Sequence, residues 1–463
     1  MSRLGIDLLL DKTLFRKVSK TPWHQGDGAT LFILFLVQVL TGGVLTLSYS
    51  NSIEHAYESV QYITNHQLMG WFIRGLHYWS AGLMVIMLYF HFFRVILLGG
   101  YKAPREGTWV TGVFLFALII IMSYSGYVLR WDERSIYAVK VLLNILYEVP
   151  LIGEQLVLFV QGGSEINSLT LSRFVSVHTI LVPGLIFIFV AYHLYLVILH
   201  GPTSPMESKI LVKNAEEQKK LYEKVKKSKT GGEDFYPTTV AASGTMGFVV
   251  FLFAVILTLT IGPPDLYPEA NLTEVSHPRE EWWFWWYSSL VALLPPAFIP
   301  YLFFWVPVFS FVILVILPLL DRGTNRGLTN RPIWSIVVGS SVIVLLGLSA
   351  LRMRSPWTGW PSSELPPFPK KHIVTDDLIK GREIYVKYGC NSCHAVAGVG
   401  AAVGPDLTKF QGSLTKKHIK NYILRPPKNV PMPPYEGRLS DEELKYLSEF
   451  VFVMQTQARS DGK

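Results

Sequence analysis

Cysteine is nearly absent: the 463 residues include two, Cys390 and Cys393, separated by only two positions. A disulfide framework is excluded, because one pair this close in sequence cross-links nothing distant. Charge is scarce too, at 16% of residues against 50% apolar, which is too little for a soluble chain of this length. The net charge of +8 does not point to nucleic acid, since lysine and arginine gather in short stretches beside hydrophobic segments, as topology signals do. A cleavable leader is not evident either. Residues 1–30 carry five Lys or Arg and no apolar run long enough for its core, so the first membrane helix is expected to direct insertion.

What the chain has in quantity is apolar sequence in blocks. A helix rising ~1.5 Å per residue needs about 20 residues to cross ~30 Å of hydrocarbon. Seven blocks qualify: residues 29–48, 75–98, 108–129, 175–199, 243–262, 288–320 and 333–351. The sixth contains Pro295, Pro296, Pro300, Pro307 and Pro318 and is expected to be one kinked or tilted span. Positive charge is dense before the first block, nearly missing from 49–74, and returns as eight lysines between Lys209 and Lys229. That alternation predicts a cytoplasmic N-terminus and, after seven crossings, a C-terminus on the periplasmic or equivalent positive face of a bacterial-type cell membrane.

Residues 355–369 hold five prolines and two tryptophans, a stiff linker that cannot continue a helix. The expected organisation is an N-terminal four-helix domain (1–205), a three-span domain (206–352), a Pro-rich linker (353–373) and a soluble domain (374–463). At roughly 90 residues the last is short enough to need a staple such as a cofactor. The fold class expected is all-α, a polytopic membrane bundle plus a small all-α domain.

Ionisable residues inside membrane helices are costly and are functional candidates by default. His77 and His91 lie 14 apart in the second block, and His178 and His193 lie 15 apart in the fourth. At ~100° and ~1.5 Å per residue, both spacings return to nearly one face, separated by about 21 to 22 Å along the axis. Both helices run the same way, so His77 is level with His178 and His91 with His193. Each pair could clasp a haem iron from two sides. The plainer alternative, four unrelated polar residues hydrogen-bonded in the bundle, does not explain the shared register. Gly28 and Gly42, and Gly112 and Gly126, repeat the spacing of 14. Glycine lets a flat porphyrin approach the backbone, although small residues also serve helix packing.

The stretches "GWFIRGLHYWSAGLMVIMLYFHFFRV", "PREGTWVTGV", "GYVLRWDE" and "LTLSRFVSVHTILVP" resemble cytochrome b of the quinol-oxidising bc and bf complexes, over Phe35 to Pro205. The 15-residue histidine spacing and three later spans are similar to the bf type, there divided between two polypeptides. The family's outer quinol site has a Pro-Glu-Trp-Tyr motif; here the sequence reads His277-Pro278-Arg279-Glu280-Glu281-Trp282-Trp283. The resemblance implies that Glu281 accepts a quinol proton, with Glu280 as rival and an ordinary interfacial acid among aromatic anchors as the alternative. Arg74 and Arg173 are candidates to hold haem propionates, or are ordinary interfacial charges. Arg130 stands where the family has proline. Gly26 stands where the bf type has a cysteine, so the extra covalent haem of that type is not expected.

In the tail, Cys390-Asn391-Ser392-Cys393-His394 is a C-x-x-C-H attachment signature: two thiols form thioethers to haem and the histidine ligates iron. A redox dithiol or a zinc site would need a strand-helix context or two further ligands, neither evident. An amphipathic helix from Thr375 to Tyr388, then "VGPDL" and "VPMPPY", resembles a class I cytochrome c, which implies Met432 as second axial ligand, with Met454 as rival.

Together the resemblances imply two non-covalent haem b groups, one covalent haem c and quinol as substrate. They also imply a Rieske iron-sulfur partner, a cytochrome c-type acceptor and a homodimeric complex in a lipid membrane. The other reading is a di-haem anchor that relays quinol electrons without bifurcation; a transporter is opposed by the C-x-x-C-H motif.

Overall fold

The computed structural model describes residues 17–18, 26–201, 203, 210–227, 233–270, 280–294, 299–354, 365–368, 374–388, 390–392, 394–400, 405–408, 414–427, 432 and 434–457. Most of the long apolar blocks are helical along their described residues, since a helix satisfies its own polar groups without water. Among the described residues six helices are long and apolar enough to cross a membrane, so the protein is an integral membrane protein. Four of them are α1 (Asp27–Thr46), α3 (Gly70–Leu98), α4 (Glu106–Val128) and α7 (Ser168–His200). Between these lie shorter helices α2 (Ala56–Asn65), α5 (Glu133–Tyr147) and α6 (Gly153–Gln161). After the charged α8 (Ala215–Lys227) come α9 (Val240–Thr260), α10 (Trp285–Ala292), α11 (Ile299–Leu320) and α12 (Pro332–Arg354).

The sixth block, expected as one kinked or tilted span, is broken within its helix. No single helix covers 288–320: Trp285–Ala292 is a separate short helix, and the apolar helix that follows begins at Ile299. The break is seen at Leu293 and Leu294, just before Pro295-Pro296, which lie outside the described residues; a proline disfavours helix at the residue preceding it. Most of the linker expected at 353–373 also lies outside them.

The chain divides into two compact units. The first comprises Met1–Trp131, Leu142–Leu266 and Leu294–Leu346. Inside it, Leu34, Phe35, Met84, Leu88, Leu115, Ile119, Val182 and Ile186 form a buried layer contributed by α1, α3, α4 and α7. α9 packs directly on α1, so that a Cβ at Gly247 would lie 2.4 Å from the Ile33 side chain. A buried ionic cluster joins the segments after α3 and α11: Asp321 accepts from Tyr101, from Lys102 at 3.0 Å and from Arg331 at 2.6 Å.

α7 is interrupted by one π-helical turn, Val177–Leu181. Pro183 stands two residues after its last residue. Its ring would clash with the carbonyl four residues earlier, and a wider turn relieves that clash by taking in one additional residue. This explains why the histidines of α7 are 15 apart and those of α3 only 14.

The second unit comprises Asp132–Val141, Tyr267–Leu293 and Gly347–Lys463. Its C-terminal part contains α13 (Asp376–Lys387), α14 (Lys416–Leu424) and α15 (Asp441–Gln457). The expected helix at Thr375–Tyr388 is present: the Thr375 hydroxyl caps it by accepting from the Leu378 amide, and Tyr388 ends it. A two-residue hairpin pairs Ala395–Val396 with Val399–Gly400, its tip at Ala397 and Gly398 having positive φ, as a type I′ turn requires. Tyr385, Leu447 and Phe450 are almost fully buried at the centre.

α13 and α15 cross at Gly381, where an added Cβ would lie 2.3 Å from the Tyr446 carbonyl oxygen. Backbone cannot step aside as a flexible side chain can. Gly381→Val is therefore expected to destabilise this domain by about 3 kcal/mol, at the upper end of overpacking costs. Thermal loss of the c-type absorbance in the full chain should occur at a clearly lower temperature; an unchanged transition would contradict the crossing.

Candidate haem sites

The four histidines of α3 and α7 occupy two levels of the first unit. His77 and His178 face each other with ring centroids 6.4 Å apart and planes at 80°. With metal–nitrogen bonds of about 2 Å and ~1.1 Å from ring centre to nitrogen, two imidazoles clasping one iron would have centroids about 6.2 Å apart. The observed spacing fits.

Each Nδ1 is engaged from the outer side of the pair. Thr41 Oγ1 lies 2.8 Å from His77 Nδ1 and itself donates to the Val37 carbonyl at 2.6 Å. Thr111 Oγ1 lies 2.9 Å from His193 Nδ1 and donates to the Thr108 carbonyl at 2.9 Å. Ser125 Oγ lies 3.2 Å from His178 Nδ1 and donates to the Met122 carbonyl at 3.1 Å. A hydroxyl that donates to its own helix's carbonyl is left to accept from the ring. Nδ1 then carries the proton and Nε2 keeps its lone pair, the tautomer a metal ligand needs.

At the fourth histidine the partner is different. His91 Nδ1 lies 3.3 Å from Asp27 Oδ1, and Arg94 binds the same carboxylate at 2.6 and 2.7 Å.

The four glycines match the histidines one to one. The first atom a Cβ would meet is a histidine Cε1: His91 from Gly28 at 3.5 Å, His77 from Gly42 at 3.2 Å, His193 from Gly112 at 3.4 Å and His178 from Gly126 at 2.4 Å. These pairings also show α1 antiparallel to α3, and α4 antiparallel to α7. The distances grade an expected result. Gly126→Ala should displace the His178 ring and lower the haem b content, Gly28→Ala should be tolerated as an ordinary contact, and Gly43→Ala, which meets nothing within 4 Å, is the control. Equal haem content in all three would remove the cradle argument.

Sequence reasoning missed the Nδ1 partners, yet a signal was present. Each is the residue immediately before a cradle glycine: Asp27-Gly28, Thr41-Gly42, Thr111-Gly112 and Ser125-Gly126. Along a helix, adjacent residues flank a facing ring from two sides, one leaving room for its edge while the other reaches its nitrogen.

Other candidates are placed as follows. Arg74 is buried and donates to Thr64 at 3.3 Å and to the Pro264 carbonyl. Arg173 donates to the Leu158 carbonyl at 3.4 Å and stacks over Phe159. Arg130 lies over the Tyr127 ring, 4.5 Å from its centroid.

In the second unit, Glu280 is clamped by Arg352 through both carboxylate oxygens. Burial alone would raise the Glu280 carboxyl, but the bonds and charge of Arg352 outweigh it and hold the group below its ordinary range. Glu281 is 3% exposed and accepts from Arg134 at 3.3 Å; Arg134 in turn lies over the Tyr267 ring.

In the tail, His394 Nδ1 lies 2.9 Å from the Pro405 carbonyl, which can only accept, so here too Nδ1 carries the proton and Nε2 keeps its lone pair. The Tyr385 hydroxyl holds the His394 carbonyl at 2.6 Å. These positions fit a haem whose iron His394 ligates beside the Cys390 thiol; Cys393 lies outside the described residues. Met432 packs, partly buried, against the domain core, whereas Met454 is 3% exposed within it.

Comparison with known proteins follows these two regions. Residues 15–201 match the family model Cytochrome b/b6/petB, and residues 376–451 match Cytochrome C oxidase, cbb3-type, subunit III. Cytochrome b6 of Crocosphaera subtropica is 40% identical over 179 residues, 39% of this chain and 81% of the relative. For cytochrome b6 of Porphyra purpurea the identity is 41%, over 39% of this chain and 83% of the relative. A solved structure described as a hyperthermophilic respiratory Complex III shares the fold at a TM-score of 0.62 and 24% identity, covering 77% of this chain and 89% of that one. Most of the length of each cytochrome b6 is thus matched at about 40% identity, and the chain belongs to the cytochrome b/b6 family with a c-type cytochrome domain carried in the same polypeptide.

Proposed function

We propose that this chain is the cytochrome subunit of a bc-type quinol:cytochrome c oxidoreductase, with His77/His178 and His91/His193 each holding a haem b and Cys390, Cys393 and His394 holding a haem c. Met432 is the proposed second ligand of the haem c. The observation that carries the reading is the facing of His77 and His178 at 6.4 Å with both Nδ1 atoms committed elsewhere. When bound, haem supplies one-electron storage at two depths of the bundle and in the tail domain.

The chain's own residues do the rest. Thr41, Thr111 and Ser125 fix ring orientation and tautomer, which removes the reorganisation a mobile imidazole would need. The buried layer around Leu34, Met84, Ile119 and Ile186 lies, in each helix, between the two histidine levels and keeps water out of that region. Glu281 accepts a quinol proton at its carboxylate. Glu280, fixed by Arg352, anchors the segment and does not cycle.

The overall reaction proposed sends one quinol electron to a Rieske iron-sulfur partner and the other across the bundle. The tail domain hands Rieske-derived electrons to a cytochrome c-type acceptor. The proposed setting is a homodimeric complex in a bacterial-type cell membrane, with a cytoplasmic N-terminus and the tail on the positive face. The division at 205, 352 and 373 belongs to the same proposal. A pyridine haemochrome assay should give haem b and haem c at 2:1, and the complex with its Rieske partner should catalyse inhibitor-sensitive quinol:cytochrome c reduction. A sample without b haem would end the proposal.

A further inference from the structure

Three histidines of the bundle present Nδ1 to a hydroxyl, of Thr41, Thr111 or Ser125, each one residue before its cradle glycine. At the equivalent place before Gly28 stands Asp27, 3% exposed, with its Oδ1 3.3 Å from His91 Nδ1. Arg94 is also near that nitrogen, at 3.4 Å, but a guanidinium has no lone pair to offer. With iron on Nε2, Nδ1 carries a proton, and the acceptor within reach is the carboxylate. Arg94 grips both oxygens of Asp27 and so fixes where that acceptor points.

We infer that Asp27 is a positioning residue that sets the reduction potential of the haem held by His91 and His193, making it lower than a hydroxyl in that place would. This rests on the bis-histidine reading above. A carboxylate draws the Nδ1 proton more strongly than a hydroxyl does, which raises the electron donation of Nε2. Stronger donation stabilises ferric over ferrous iron, and hydrogen bonding to an axial ligand is one of the protein's levers on haem potential.

The test is redox potentiometry of the two b haems in the purified holoprotein, with haem b counted per haem c. In Asp27→Asn/Arg94→Gln both ions are removed together, so the formal charge of the pair is unchanged while the acceptor is weakened. The expected result is a tenfold rise in the reduction equilibrium constant of one b haem, an upward shift of about 59 mV for one electron. The other b haem should not move. Thr41→Val should shift the second component and leave the first.

Unchanged potentials in the double variant, at an unchanged haem count, would overturn the inference and leave the bis-histidine reading standing. Native protein lacking two b haems would overturn that reading itself. Should the double variant not retain haem, Asp27→Ser is compared with Arg94→Gln. A pure field effect moves these two by equal and opposite amounts and would overturn the inference; a larger rise in Asp27→Ser supports it.

Discussion

Replacing His178 by alanine is expected to leave one haem b per haem c instead of two, and to stop quinol:cytochrome c reduction. The imidazole faces His77 at 6.4 Å, oriented by Ser125 and the Met122 carbonyl at 3.2 Å each. Alanine removes the ring and leaves His77 as a single ligand. Loss of a residue that merely orients a ligand typically costs about 10- to 100-fold in affinity or activity, and loss of the ligand itself should exceed that. The effect should be confined to one level: His91 and His193 lie on the far side of the buried layer, so the remaining haem should keep its potential. His66→Ala, at an exposed position outside the bundle, is the control. A 2:1 ratio surviving in His178→Ala would sink the assignment of both pairs.

The histidine and glycine repeats were legible because a straight helix converts spacing into facing with no further information. The π turn was not, because it depends on the clash between Pro183 and the preceding turn, and a 15-residue interval alone reads as a small angular error. The Nδ1 partners were hidden for another reason: Thr and Ser in a membrane helix ordinarily bond their own backbone, and Thr41, Thr111 and Ser125 do so while also accepting from a ring on another helix. Asp27 was obscured by its place in the first turn of α1, where an acid is favoured by the helix dipole alone. In the sixth block, hydropathy counted residues 288–298 and 299–320 together. Apolar character says nothing about the break seen at Leu293 and Leu294.

Glu281→Gln should lower quinol oxidation by at least about 100-fold, the usual contribution of a general base, without changing haem content. Glu280→Gln should do the opposite, keeping turnover per folded molecule while lowering stability. Two adjacent carboxylates differ here by their partners. Glu280 meets a planar guanidinium with both oxygens, and Arg352 is only 7% exposed, so removing the acid leaves a buried cation at a cost of about 3 kcal/mol. A carboxylate held this way cannot take and release a proton in each turnover without breaking the clamp. The described ion pair of Glu281 is a longer, 3.3 Å contact with Arg134, whose guanidinium also bonds the Glu280 carbonyl and stacks on Tyr267. Arg134 is therefore held by several groups, and Glu281 can be protonated without releasing it. The comparison needs both variants in the assembled complex: turnover with quinol and cytochrome c, and the thermal midpoint of each. If Glu280→Gln is the slow enzyme and Glu281→Gln the merely unstable one, the two roles are reversed. The proton path then runs by way of the Arg352 clamp.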